Sequence, residues 1–198
     1  MNDKKPKKES TSWGKVASWY DDHLEGGQNY FHKEIILPNL RRLLLPKAGE
    51  KIMDLASGTG FFSENLAGQA EFIGVEISPE LVVLSKKKNI KNARFFASPS
   101  HKLDFIPNAS VDKIIFVLAI QNILKVPETL AECARVLKPS GKIFIVMNHP
   151  AFRIPKKSFW GFDEKAGIQY RRVDEYLSES RAEIEMNPGK SGSGKTPI

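Results

Sequence analysis

Two glycine-rich stretches of this 198-residue chain have spacings that could hold a charged ligand. Asp54 to Gly60 reads DLASGTG, the form D-x-x-x-G-x-G, and Gly189 to Thr196 reads GKSGSGKT, the form G-x-x-x-x-G-K-[ST]. The second spacing is that of a phosphate-cradling loop, whose chemistry relies on the free N–H groups of a helix that follows it. Only Pro197 and Ile198 come after Thr196, so no such helix is predicted. No triphosphate site is expected there, and the stretch reads as a flexible glycine-serine tail with two lysines.

The first stretch has the neighbours it needs. KIMDLA (Lys51 to Ala56) reads as a buried strand and SENLA (Ser63 to Ala67) as a helix after the glycines. Gly58 and Gly60 let the backbone turn and approach a ligand closely. EFIGVEI (Glu71 to Ile77) reads as a second strand that carries Glu76, 18 residues after Gly58. That interval is near the roughly 20 residues at which an acidic side chain reaches ribose hydroxyls. A dinucleotide loop would carry a third glycine, where this chain has Ser63 next to bulky Phe61 and Phe62. Asp54 would repel a phosphate, whereas an ammonium or sulfonium group is favoured beside a carboxylate and aromatic faces. S-adenosylmethionine is a ligand of that kind.

The elements that must position these residues alternate strand and helix from Gly49 to His149. Further strands are predicted at ARFFA (Ala93 to Ala97), DKIIFVLAI (Asp112 to Ile120) and KIFIVM (Lys142 to Met147). In SPELVVLSKKK, Ser78 caps a helix and Pro79 takes its first position. PETLAECARVL (Pro127 to Leu137) is predicted amphipathic, with Leu130, Ala134 and Leu137 inward, and KPSG is expected to turn the chain into the fifth strand. The pattern predicts an α/β fold: a Rossmann-like open sheet of parallel strands in the order 3-2-1-4-5, flanked by helices. Residues 1–12 are expected to be a disordered basic tail, 13–150 a cofactor-binding domain with an N-terminal helical cover, and 151–198 an arm and flexible tail.

Over roughly Trp19 to Met147 the sequence resembles the class I S-adenosylmethionine-dependent methyltransferases, especially the small-molecule type known as methyltransferase type 11. The resemblance rests on DLASGTG, GVEISPE, SVDKIIFVLAIQNI and ECARVLKPSGKIFIV, in that order. It implies that Asp54, Ala56, Gly58 and Gly60 contact the methionine part, that Glu76 binds the ribose, and that Ile77 packs on the adenine. Ala119, at the end of the fourth strand, joins that set. After the third strand the family usually carries G-D-A, with the aspartate reading the adenine amino group. Here Ala97, Ser98 and Pro99 stand instead, with His101 nearby, leaving Ser98 to accept one hydrogen bond. The family's C-terminal antiparallel strand pair is expected to be reduced or missing. An uncovered fifth strand is a liability. Either Ile168 to Met186 is expected to fold back as a hairpin arm, or the edge or arm pairs with a second copy as a homodimer.

Methyl transfer is an in-line displacement at an activated carbon, so the resemblance implies no invariant catalytic residue. A small-molecule acceptor is expected over the ends of strands four and five, near Gln121, Asn122, Asn148 and His149, with His149 as candidate base. Tyr20, His23 and His32 belong to the N-terminal segment, which in this family often covers the cofactor. A non-catalytic cofactor-binding or scaffolding module is the alternative. The four histidines show no metal-ligand spacing, so no metal is expected.

Composition agrees with an ordinary globular protein, at 41% hydrophobic and 27% charged. The longest apolar run, IIFVLAI, falls short of the roughly 18 residues of a membrane span. The N-terminus has charge but no apolar signal region, and the single cysteine, Cys133, lies in a helical pattern as a buried thiol; a cytoplasmic location is expected. Net charge is +7, with four lysines in the first eight residues. Lys86 to Lys88 lack interleaved aromatics, so they read as a solvated helix end rather than a nucleic-acid surface.

Overall fold

The computed structural model describes residues 29–68, 70–149 and 157–178, together with the backbone of 183–185 and 195–197. The basic tail, Tyr20, His23 and most of the second glycine-rich stretch lie outside the described residues.

Five strands form the sheet: β1 (Lys51–Leu55), β2 (Glu71–Glu76), β3 (Ala93–Ala97), β4 (Val111–Val117) and β5 (Leu137–Val146). Their order is β3-β2-β1-β4-β5 and every pairing is parallel, as the sequence pattern predicts. Among the described residues four α-helices flank it: α1 (Leu37–Leu44), α2 (Phe61–Leu66), α3 (Pro79–Lys87) and α4 (Val126–Val136). A π-helical segment, Phe31–Ile36, runs directly into α1.

Because successive strand residues face opposite ways, the strands feed two separate cores. Ile52, Phe72 and Ile115 pack with Leu37, Leu40 and Leu44 of α1 and with Phe61, Phe62 and Leu66 of α2. Met53, Leu55, Val75, Ile114 and Phe116 face the other way, onto Leu103, Ile106, Cys133 and Val136. Each such side chain stabilises the fold by about 1.5–3 kcal/mol when fully buried. The amino ends of the strands are tied by charge: Glu50 to Lys113 at 2.6 Å and Asp112 to Lys138 at 2.7 Å. The carboxyl ends are left for a ligand.

Three expectations need correction. The inward face of α4 is Thr129, Cys133 and Val136, whereas Leu130 and Ala134 are exposed. Thr129 can be buried because its hydroxyl lies 3.0 Å from that of Ser100, and Glu132 and Arg135 bind the 103–108 loop. KPSG does not precede β5 but lies within it: β4–β5 pairing jumps from Val111↔Leu137 to Lys113↔Lys142, so these residues bulge from the ladder.

The arm is a hairpin, but over other residues. β6 (Ser158–Asp163) pairs antiparallel with β7 (Ile168–Val173) as a separate sheet and does not extend β5. Its turn is set by Asp163, whose Oδ1 accepts from the N–H groups of Lys165 and Ala166, and by Gly167 at φ 65°. That local turn selects SFWGFD (158–163) as the partner of IQYRRV (168–173), where a hairpin over Ile168 to Met186 would have paired it with AEIEM (182–186). AEIEM instead contributes β8 (Glu183–Glu185), paired antiparallel with β9 (Lys195–Pro197). A strand, not a helix, thus includes the end of GKSGSGKT.

Candidate cofactor-binding site

The site is built where the chain leaves β1. Ala56, Gly58 and Gly60 all take left-handed backbone angles, at φ 57°, 56° and 79°. Ala56 pays for this with a crowded Cβ, of order 1–3 kcal/mol. Gly60 and Gly74 are glycine for a second reason: a Cβ on Gly60 would lie 2.8 Å from the Phe95 ring, and one on Gly74 would lie 2.2 Å from it. Phe95 thus packs the loop down onto β2.

Two carboxylates are buried beside this loop. Asp54 is 2% exposed, and its Oδ2 accepts a hydrogen bond from the hydroxyl of Ser63 at 2.8 Å. Burial pushes its carboxyl up to about 7; the Ser63 bonds oppose the shift and the Glu76 charge adds to it. Glu76, 5% exposed, receives Gly58 N–H on Oε2 and Ser78 N–H on Oε1, both at 3.0 Å. Burial raises its carboxyl too, against the pull of these backbone bonds. Glu76 therefore ties the glycine loop to the start of α3, where Ser78 caps the helix through Leu81 N–H.

A narrow cavity of about 30 Å³ opens between loop and sheet, lined by His32, Asp54, Ala56, Ser57, Gly58, Thr59, Phe61, Phe62 and Val117. It has room for a small polar group, not for a nucleoside. Ser57 Oγ and Thr59 Oγ1 are buried without a partner. An unmet buried hydroxyl costs roughly 1–3 kcal/mol, so both are prepared to bond a ligand. Outside the cavity, Ile77 stands 49% exposed at the end of β2, an apolar surface beside Glu76. Ser98 N–H bonds Glu76 O, and Ser98 Oγ donates to Lys102 O at 2.7 Å, leaving its lone pairs for an incoming N–H. A larger groove of about 500 Å³ runs between α3 and β3, lined by Lys86, Asn89, Arg94 and Phe96 among others. It includes neither carboxylate nor any glycine of the loop.

Asp54, Ala56, Gly58, Gly60, Glu76, Ile77 and Ser98 are thus gathered at the carboxyl ends of β1 to β3. Ala119, 9% exposed, follows Leu118, whose φ of 52° turns the chain out of β4. The acceptor-side residues are placed differently. Gln121 Nε2 donates back to Leu118 O at 2.8 Å, and its Oε1 is buried without a partner. Asn148 and His149 are exposed beyond β5 and are not among the described residues lining the cavity. Sequence reasoning passed over Ser57, Thr59, Ser63 and Val117. Hydroxyl side chains alternating with the glycines were the available signal for the first two.

Comparison with known proteins agrees with this arrangement. Residues 53–145 match the family model described as "Methyltransferase domain". That match covers just under half of the chain. The chain is 30% identical to the biotin biosynthesis bifunctional protein BioHC of Cellvibrio japonicus, over 88% of this chain and 32% of that protein. It is 31% identical to the ubiquinone/menaquinone biosynthesis C-methyltransferase UbiE of Zymomonas mobilis, over 66% of this chain and 55% of the relative. It is 27% identical to the demethylmenaquinone methyltransferase of Renibacterium salmoninarum, over 76% and 63%. The chain therefore spans from about a third to just under two thirds of these relatives' lengths. Among solved structures, the S-adenosylmethionine-dependent methyltransferase of Mesorhizobium loti superposes with a TM-score of 0.64 at 23% identity, covering 73% of this chain and 66% of that one. That likeness shows the fold: an open parallel α/β sheet with the same overall course as in that enzyme. No helix among the described residues is long and apolar enough to cross a membrane.

Proposed function

We propose that the chain transfers a methyl group from S-adenosylmethionine to a small-molecule acceptor in the cytoplasm. The observation that carries this reading is the pair of buried carboxylates, Asp54 and Glu76, on adjacent parallel strands, with the glycine loop bonded to Glu76 and the helix after it bonded to Asp54 through Ser63. Three relatives named for quinone or biotin biosynthesis support a small acceptor. Bound S-adenosylmethionine supplies a methyl carbon already activated by a sulfonium. In this reading Asp54 and the hydroxyls of Ser57 and Thr59 hold the amino-acid end. Glu76 accepts from the ribose hydroxyls on lone pairs its two backbone bonds leave open, and Ile77 and Ser98 meet the adenine.

The chain's further task is to exclude water and align an acceptor. Gln121, Asn122, Asn148 and His149, on the loops after β4 and β5, are the proposed acceptor contacts, with His149 available to take a proton where the acceptor carries one. β5 is paired on one side only among the described strands, and its Ile143, Ile145 and Met147 are partly exposed. Pairing of this edge or of the arm with a second copy belongs to the proposal and is tested by light scattering. Tritiated methyl transfer onto a panel of small acceptors tests the activity. Binding of the cofactor with no transfer to any of them would leave a scaffolding role instead.

A further inference from the structure

The cavity that holds Asp54 is also lined by His32, from a different part of the chain. His32 lies in the π-helical segment, where Leu37 N–H bonds His32 O, five residues back rather than four. Such turns are rare and recur at functional sites. The imidazole is half-buried and packed against both loop phenylalanines, with centroids 5.9 Å from Phe61 and 5.8 Å from Phe62. Its place is therefore set by the same two rings that open α2.

The polar groups lining this cavity, among the described residues, are one carboxylate, two unmet hydroxyls, the loop backbone and this imidazole. A free amino-acid head carries an ammonium and a carboxylate on the same carbon. Asp54 complements the first and would repel the second. His32 is the lining side chain that can carry positive charge near neutral pH. We propose that His32 pairs with the carboxylate of the cofactor's amino-acid end, so that the cavity recognises a zwitterion through Asp54 and His32 together. This rests on the reading of the site as one for S-adenosylmethionine.

The test compares two ligands by calorimetry: S-adenosylmethionine and its decarboxylated form, which keeps the ammonium and the sulfonium but lacks the carboxylate. The wild-type chain should prefer the intact ligand by about ten-fold or more, the size of a charge-assisted hydrogen bond. His32→Phe keeps an aromatic ring against Phe61 and Phe62 and removes the donor. It should weaken the intact ligand by about ten-fold while leaving the decarboxylated one within about two-fold, and His32→Gln should restore part of the loss. Asp54→Asn, by contrast, should weaken both ligands alike. If His32→Phe weakens both equally, or neither, the pairing is wrong while the site stands. If the wild-type chain binds neither ligand, the site itself has been misread.

Discussion

The two halves of the sheet's carboxyl end are built in opposite ways. At β1 and β2 the candidate groups are buried, hydrogen-bonded within the protein, and packed under an aromatic ring that leaves no space for a Cβ on Gly60 or Gly74. At β4 and β5 they lie on loops, with Asn148 and His149 exposed and Gln121 turned back on its own chain. A cofactor common to a whole family can be met by groups fixed before it arrives. An acceptor that differs between relatives calls for residues that can change without disturbing the core. Substitutions in the first half should therefore change stability, cofactor binding or both, and those in the second should leave both intact.

The largest effect is expected at Gly74. Gly74→Val drives a side chain into Phe95 and should destabilise the domain by at least the 1–3 kcal/mol of an overpacked core, lowering its melting temperature by several degrees. Adding Phe95→Ala should recover much of the clash. A single variant that melts with the wild type would show that the loop is not packed as described. Next comes Glu76→Ala, which strands the N–H groups of Gly58 and Ser78 and removes the proposed ribose acceptor. It should cost about ten-fold or more in affinity and lower the melting temperature. His149→Ala, in the other half, should leave cofactor affinity within about two-fold and reduce transfer only. Equal losses of affinity in the two variants would erase the contrast between the halves.

Asp54 sharpens the comparison through pH. Its folded value of about 7 lies above the ordinary 3.8, so the protonated form is favoured by folding. Its contribution to stability is complete below 3.8 and is lost as pH rises through 7. Asp54→Asn should flatten the pH dependence of melting across that window and melt above the wild type at alkaline pH, while binding the cofactor less well. An ammonium placed beside Asp54 draws its proton off, so binding just below neutrality should release protons. Calorimetry in two buffers of different ionisation enthalpy measures that release, and its absence in Asp54→Asn identifies the group.

The smallest change is Ala56→Gly. It relieves a left-handed residue at φ 57° and should stabilise the chain by about 1 kcal/mol, less the entropy that glycine adds to the unfolded state. Thermal melting at matched pH reads it.

The local structure of the proposed cofactor half was legible in sequence because it is compressed into short motifs: DLASGTG fixes a strand, a turn and a helix start, and GVEISP fixes a carboxylate and a cap. The parallel order followed from alternation and crossover handedness. What the letters hid depended on contacts across long separations. Phe95 and Gly74 explain each other only once β2 and β3 are paired. The inward face of α4 was misplaced because Thr129 is polar until Ser100 is seen beside it. His32 could not be tied to Asp54 from spacing, since a π-helical turn changes the residues that share a face. The arm's strand partner was decided by Asp163, a local turn that the weak apolar pattern did not announce.

The central claim is that the ends of β1 and β2 form an S-adenosylmethionine site held by Glu76. Titration calorimetry with S-adenosylhomocysteine on the wild-type chain and on Glu76→Ala tests it most directly. The expected result is one saturable site per chain with micromolar affinity, weakened about ten-fold or more by the substitution. No saturable heat in the wild type, or an affinity that Glu76→Ala leaves unchanged, would contradict the account.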